Sequence, residues 1–138
     1  MRRVVTGNTG AGKSVFVSDG EVQPITISMV PGSETYQIRG ADEAVQLPTE
    51  GSELMTQGYF PSEGGFRFGF FTIPPAGTGP PAELDMAAAI AEANQKLPGL
   101  MDVFEMDNPG MHRTDTVDYV VVLSGEVSLE IDDGQTVS

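Results

Sequence analysis

The chain of 138 residues reads as an all-β protein interrupted by one helix. Three observations carry that reading. Seventeen glycines and ten prolines, about a fifth of the chain against a usual ~12%, are spread between short apolar segments, as in proteins built from strands and turns. Several of those segments alternate apolar and polar residues with the two-residue period of a half-buried strand. Only one segment has the three-to-four-residue spacing of a helix.

Along the chain, strands are expected over Arg2–Thr6, Ser14–Ser18, Pro24–Met29, Glu34–Arg39, Phe66–Ile73, Thr116–Leu123 and Glu126–Ile131. Phe66, Phe68 and Phe70 share one parity, opposite Arg67 and Gly69, which predicts one heavy inner face. Tyr119 to Leu123 is apolar on both parities, the pattern of a strand covered on both sides. Glu126–Ile131 is the clearest, with Val127, Leu129 and Ile131 alternating against Glu126, Ser128 and Glu130. Asp133-Gly134 then signals a hairpin turn, with Gln135 to Ser138 as the start of its return strand.

The helix is expected over Pro81–Leu97. Proline suits a first helical turn, Glu83 and Asp85 complement the positive end of the dipole, and Lys96 complements the negative end. Pro98-Gly99 stops it. Met86, Ile90, Ala93 and Leu97 form one stripe, read as packing against the outside of the sheets. The whole is one domain: N-terminal strands over 1–75, a helical insertion over 80–98, a polar-to-apolar strand over 110–125 and a hairpin over 126–138.

Composition removes many function classes. Seven basic against twenty acidic residues leave a net charge of −13. Such a surface repels phosphate backbones and anionic headgroups, so neither nucleic acid nor a membrane surface is an expected partner. Without cysteine there are no disulfides, thiolate metal sites or cysteine nucleophiles. His112 is the single histidine. Neither a secretory h-region nor an apolar run near the ~20 residues of a spanning helix is present, and a cytoplasmic location is expected.

Gly7-Asn8-Thr9-Gly10-Ala11-Gly12-Lys13-Ser14 matches the phosphate-cradling G-x-x-x-x-G-K-[ST] pattern. That chemistry needs a helix opening at the lysine, whose N-terminal amides hold the phosphates. Here Val15-Phe16-Val17 follows, ending in Ser18-Asp19-Gly20, which is strand and turn sequence. The segment is expected to be a hairpin turn, and nucleotide binding is kept only as a minor alternative.

The stretch Gly110 to Gly125 carries the most chemistry. His112, Thr114, Thr116, Asp118, Val120 and Val122 share one parity, so an unbroken strand would line them along one face, polar at one end and apolar at the other. His112 and Asp118 are possible ligands for a divalent cation and possible acid–base groups. Arg113 and Asp115 point the other way and are expected in surface ion pairs. Tyr119 is expected to pack.

This stretch resembles the first conserved motif of the cupins, G-x5-H-x-H-x3-E-x6-G. His112, Thr114, Asp118 and Gly125 fall on its His, His, Glu and Gly with those intervals intact. The surrounding wording, Arg-Arg-Val-Val-Thr-Gly, Ser-Val-Phe-Val-Ser-Asp-Gly and Met-His-Arg-Thr-Asp-Thr-Val-Asp-Tyr, is similar to that of small single-domain bacterial cupins over nearly the whole chain. The departures are Thr114 in place of the second histidine, Asp118 in place of glutamate, Gly110 too close to His112, and no second cupin motif with its last histidine.

The resemblance implies a cupin-like jelly-roll barrel, a double-stranded β-helix that is incomplete at the C-terminus, with the helix near 81–97 outside it. It implies a divalent metal (iron, manganese, nickel or zinc) held by His112 and Asp118, weakly or not at all in this chain, beside a pocket for a small organic ligand lined by Thr114, Thr116, Val120 and Val122. Two functions stay open: a metal-dependent decarboxylase, isomerase or oxygenase with unassigned catalytic residues, and a non-catalytic ligand-binding module. Stopping in mid-hairpin, the chain is expected to lack about three closing strands of such a barrel. It is then expected to cover the gap as a homodimer, with Arg2–Thr6 the segment that crosses between subunits.

Overall fold

Strand β1 (Arg2–Asn8) pairs antiparallel with β2 (Ser14–Glu21) in a computed structural model of the chain that describes residues 1–51, 56–105, 107–108 and 110–138. Arg3, Val5 and Gly7 alternate inward along β1, the two-residue period of a half-covered strand. Arg2–Thr6 is thus held by a strand of its own chain. The turn between the strands is closed by Thr9 N–H donating to the Lys13 carbonyl and Gly12 N–H to that of Thr9, both at 2.8 Å. No helix opens at Lys13. A strand starts at Ser14 instead, because β-branched Val15 and Val17 flank Phe16. Gly7 has a packing reason of its own: a Cβ there would lie 1.8 Å from the Glu50 carbonyl oxygen.

A second hairpin-like pair, β3 (Glu34–Ala41) with β4 (Phe66–Thr72), is also antiparallel. Its register shifts between Gln37, opposite Gly69, and Arg39, opposite Phe68, so Ile38 is an extra residue on β3. Such a bulge bends the strand and re-aims its side chains. The Ile38 carbonyl accepts Arg3 Nη1 at 2.8 Å, which ties β1 to β3.

The strand expected over Pro24–Met29 is reduced to one bridge, Ile25 to Thr35. The helix side chains take its backbone groups instead. Lys96 Nζ donates to the Thr26 carbonyl at 2.8 Å, and Ser28 donates both its N–H, at 3.0 Å, and its hydroxyl to Glu92 Oε2. A backbone satisfied this way has no need of a ladder.

Helix α1 covers Met86–Lys96, not the expected Pro81–Leu97. Asp85 is the reason. Its carboxylate accepts the N–H groups of Ala87 and Ala88 at 3.0 and 3.1 Å, an N-cap with extended backbone. Pro81 closes a separate turn, accepting Leu84 N–H. The buried face is Ala89, Ala93 and Leu97, while Met86 and Ile90, expected on the packed stripe, are exposed. Ala89 and Ala93, four residues apart and so on one face, carry only methyl groups that let the helix lie close to what covers it.

Met1–Asp102 and Val103–Ser138 are two separate compact units. In the second, β5 (Leu129–Glu130) and β6 (Thr136–Val137) form a short hairpin around Asp132–Gly134, with Asp133 and Gly134 both at positive φ. The turn signal is realised, but only two residues of the expected strand Glu126–Ile131 pair. Thr116–Leu123 is not a strand. Among the described residues no segment offers it an edge to pair with, and apolar β-propensity without a partner forms no ladder. Strand outweighs helix overall, but the strands make three two-stranded sheets and no closed barrel among the described residues. No helix among them is long and apolar enough to cross a membrane.

Candidate functional site

The second unit begins with a tight chain reversal that positions the histidine. Glu105 N–H donates to the Met111 carbonyl at 2.9 Å and Arg113 N–H to that of Val103 at 3.1 Å. These bonds set Phe104 opposite His112 in an isolated antiparallel bridge. Asn108 N–H donates to Glu105 and Met111 N–H to Asn108, which closes the loop between the two arms. The asparagine suits a turn because its short polar side chain tolerates tight backbone conformations.

His112 is exposed, and its ring lies 5.8 Å from that of Phe104, tilted by 53°. The phenyl ring gives the imidazole one apolar neighbour and leaves the rest of it open to a ligand. Arg113 faces Glu105 at 3.7 Å as a surface ion pair, as expected of it. Asp115 is exposed.

Thr114 and Thr116 share one hydrogen bond between their hydroxyls, at 2.7 Å, and are half-buried. Alternate residues on one side are what extended backbone delivers, so that much of the parity argument holds locally. Beyond Thr116 the argument loses its support. Asp118, Val120 and Val122 are exposed, in a segment without a sheet to define its faces. Tyr119, expected to pack, is 93% exposed.

A metal site asks for more donors than are gathered here. Open transition-metal sites use three protein ligands, commonly two histidines and a carboxylate. Among the described residues no group of three His, Asp or Glu side chains is placed to hold a cation. Thr114 stands where the second histidine would be, and its hydroxyl is engaged with Thr116. His112 and Asp118 alone therefore do not make a donor set that fits the implied metal. What the arrangement offers is an exposed imidazole beside a phenyl ring and a pair of threonine hydroxyls able to donate and accept.

Phe104 and Glu105 are the neighbours that sequence reasoning missed. The only available signal was their parity against His112 and Arg113 across a short polar loop, which is weak without knowing that the loop reverses the chain. Near the N-terminus, Lys13 of the phosphate-loop pattern is followed by strand β2, which begins at Ser14, and lacks the helix N-terminus that such a loop uses.

No protein-family model, no curated protein and no solved structure matches this chain.

Proposed function

We propose that this is a cupin-type protein that holds a small organic ligand against the stretch from His112 to Val122. The observation that carries the reading is the spacing of His112, Thr114, Asp118 and Gly125, which repeats every interval of the cupin motif from its histidine onward. In this reading the exposed apolar side chains of Val120 and Val122 are the wall that the ligand covers. The threonine hydroxyls orient a polar group of the ligand, and His112 donates or accepts a proton at its rim.

The donor set favours ligand binding without a resident metal. Enzymatic decarboxylation, isomerisation or oxygenation at a metal remains the competing reading, because His112 and Asp118 keep the motif's interval.

Elemental analysis of the purified protein separates the two, combined with a thermal-shift screen of small carboxylic acids, phenols and sugars. The expected result is less than stoichiometric iron, manganese, nickel and zinc, with at least one compound class stabilising the protein. A ligand at 100 times its Kd adds about 2.7 kcal/mol, and Thr114→Val should remove most of that gain. One equivalent of metal, lost in both His112→Ala and Asp118→Ala, would establish the metal-dependent reading instead. A screen with no stabilising compound and no metal would overturn both.

A further inference from the structure

We propose that Asp133-Gly134 is a site of self-modification, where the chain converts Asp133 to isoaspartate through a cyclic imide. Asp-Gly occurs twice in the sequence, at Asp19-Gly20 and at Asp133-Gly134. The fold gives the two pairs opposite surroundings, and it leaves the second one free to react.

The step needs only the two residues and water. The Gly134 amide nitrogen attacks Asp133 Cγ in its carboxylic-acid form. A C–N bond forms, the C–OH bond breaks, and the amide proton leaves with the hydroxyl as water. One water then opens the imide again. Opening at the Cγ carbonyl restores aspartate. Opening at the α-carbonyl leaves the chain running through Cβ and Cγ, with the α-carboxylate free. The net change is an isomerisation without oxidant or reductant. Glycine favours the closure because no side chain crowds the ring and its backbone turns freely.

Sterics do not separate the two pairs. A Cβ on Gly20 would meet nothing within 4 Å, and one on Gly134 nothing nearer than Glu130 Oε1 at 4.0 Å. Backbone order does separate them. Asp19 and Gly20 lie inside β2, opposite Val4 and Arg3. Val22 N–H donates to the Met1 carbonyl at 2.7 Å. Alternation along an antiparallel ladder makes Arg3 and Gly20 the next hydrogen-bonded pair, so the nitrogen that would attack is tied to β1. The Asp19 carboxylate is clamped too, accepting Arg2 Nε at 2.7 Å and Arg2 Nη2 at 2.6 Å. That hydrogen bonding holds the Asp19 carboxyl below its ordinary range, away from the acid form that is attacked.

Asp133 and Gly134 sit instead at the tip of a hairpin with two residue pairs, Leu129 with Val137 and Glu130 with Thr136. Residues 129–137 are all exposed. So small a hairpin is marginal in water and opens by local fluctuation. Asp133 stands at φ 62°, in the left-handed region that an L side chain disfavours, so leaving the turn relieves it. Among the described residues no donor clamps its carboxylate. Isoaspartate adds one methylene to the backbone at the tip, which breaks the two-residue period that pairs β5 with β6.

The test is prolonged incubation of the full chain near neutral pH, folded and in concentrated urea. Peptide mapping by liquid chromatography and mass spectrometry then separates aspartyl from isoaspartyl peptides. In the folded chain isoaspartate should accumulate at residue 133 on the order of tenfold faster than at residue 19. In urea, where backbone order is gone, the two rates should converge. Asp133→Glu, whose longer side chain closes a six-membered ring far more slowly, should abolish the product at 133. No isoaspartate at residue 133 in the folded chain, equal accumulation at residue 19, or a difference that survives in urea would overturn the proposal.

Discussion

At the scale of single residues, two charged side chains hold the first unit together. Glu92 accepts Lys96 Nζ at 2.6 Å and both donors of Ser28. Lys96 first, and then the Ser28 hydroxyl and amide, hold its carboxyl down at about 2 from an ordinary 4.5. A depressed carboxyl stabilises the fold fully above its unfolded value and loses that contribution as pH falls through its folded value. Urea midpoints should therefore drop between pH 4.5 and about 2, and Glu92→Gln should flatten that part of the profile. An unchanged acid limb in the variant would show that the carboxylate anchors nothing. Arg67 is the other. Replacing it with methionine leaves the carbonyls of Ala41, Gly58 and Phe60 and the Asp42 carboxylate without their donor, a loss of about 2 kcal/mol in chemical unfolding. Arg113→Met, whose partner Glu105 is 3.7 Å away on the surface, should cost less than about 1 kcal/mol.

Elements depend on how locally their bonds close. The β1–β2 hairpin, the helix and the Asp-Gly turn were all legible because turn residues, caps and short-range hydrogen bonds sit within a few positions of one another. The helix starts at Met86 rather than at the expected Pro81. Both Pro81 and Asp85 are start signals, and the structure uses the Asp85 carboxylate, a side chain that satisfies two amides where a proline ring satisfies none. Asp85→Ala should accordingly cost about 1 kcal/mol and shorten the helix at its first turn, read by thermal unfolding and by amide exchange at Ala87 and Ala88. Thr116–Leu123 departs from its expected strand for the opposite reason. Its residues favour a strand, but a strand is a relation between two segments, and no second segment among the described residues pairs with it.

At the scale of the whole molecule, apolar surface outruns what the described residues bury. Among the described residues the buried apolar side chains are Ala41, Ala89, Ala93 and Leu97, while Val117 and Tyr119 to Leu123 stand at least half exposed. An unpaired apolar segment of that length favours pairing with another chain. The charge of −13 opposes it. Since added salt screens repulsion while leaving apolar attraction in place, self-association should strengthen between about 20 and 300 mM sodium chloride. Sedimentation equilibrium measures this, and Val121→Glu should weaken the association. A monomer at every salt concentration would count against a homodimer.

The sequence by itself determined the strand-rich character, the hairpin in place of a phosphate loop, the single helix and the polar grouping of Thr114 with Thr116. Each follows from contacts between residues near in the chain, where propensity, caps and turn chemistry suffice. Tertiary structure alone decided the rest. The bulge at Ile38, the pairing of Arg67 with Asp42, and the capture of Ser28 by Glu92 join residues up to 64 positions apart. Register between distant strands sets such meetings, and a shift of one residue would turn each side chain to the opposite face. No local pattern encodes that register. It is fixed only when the segments pack.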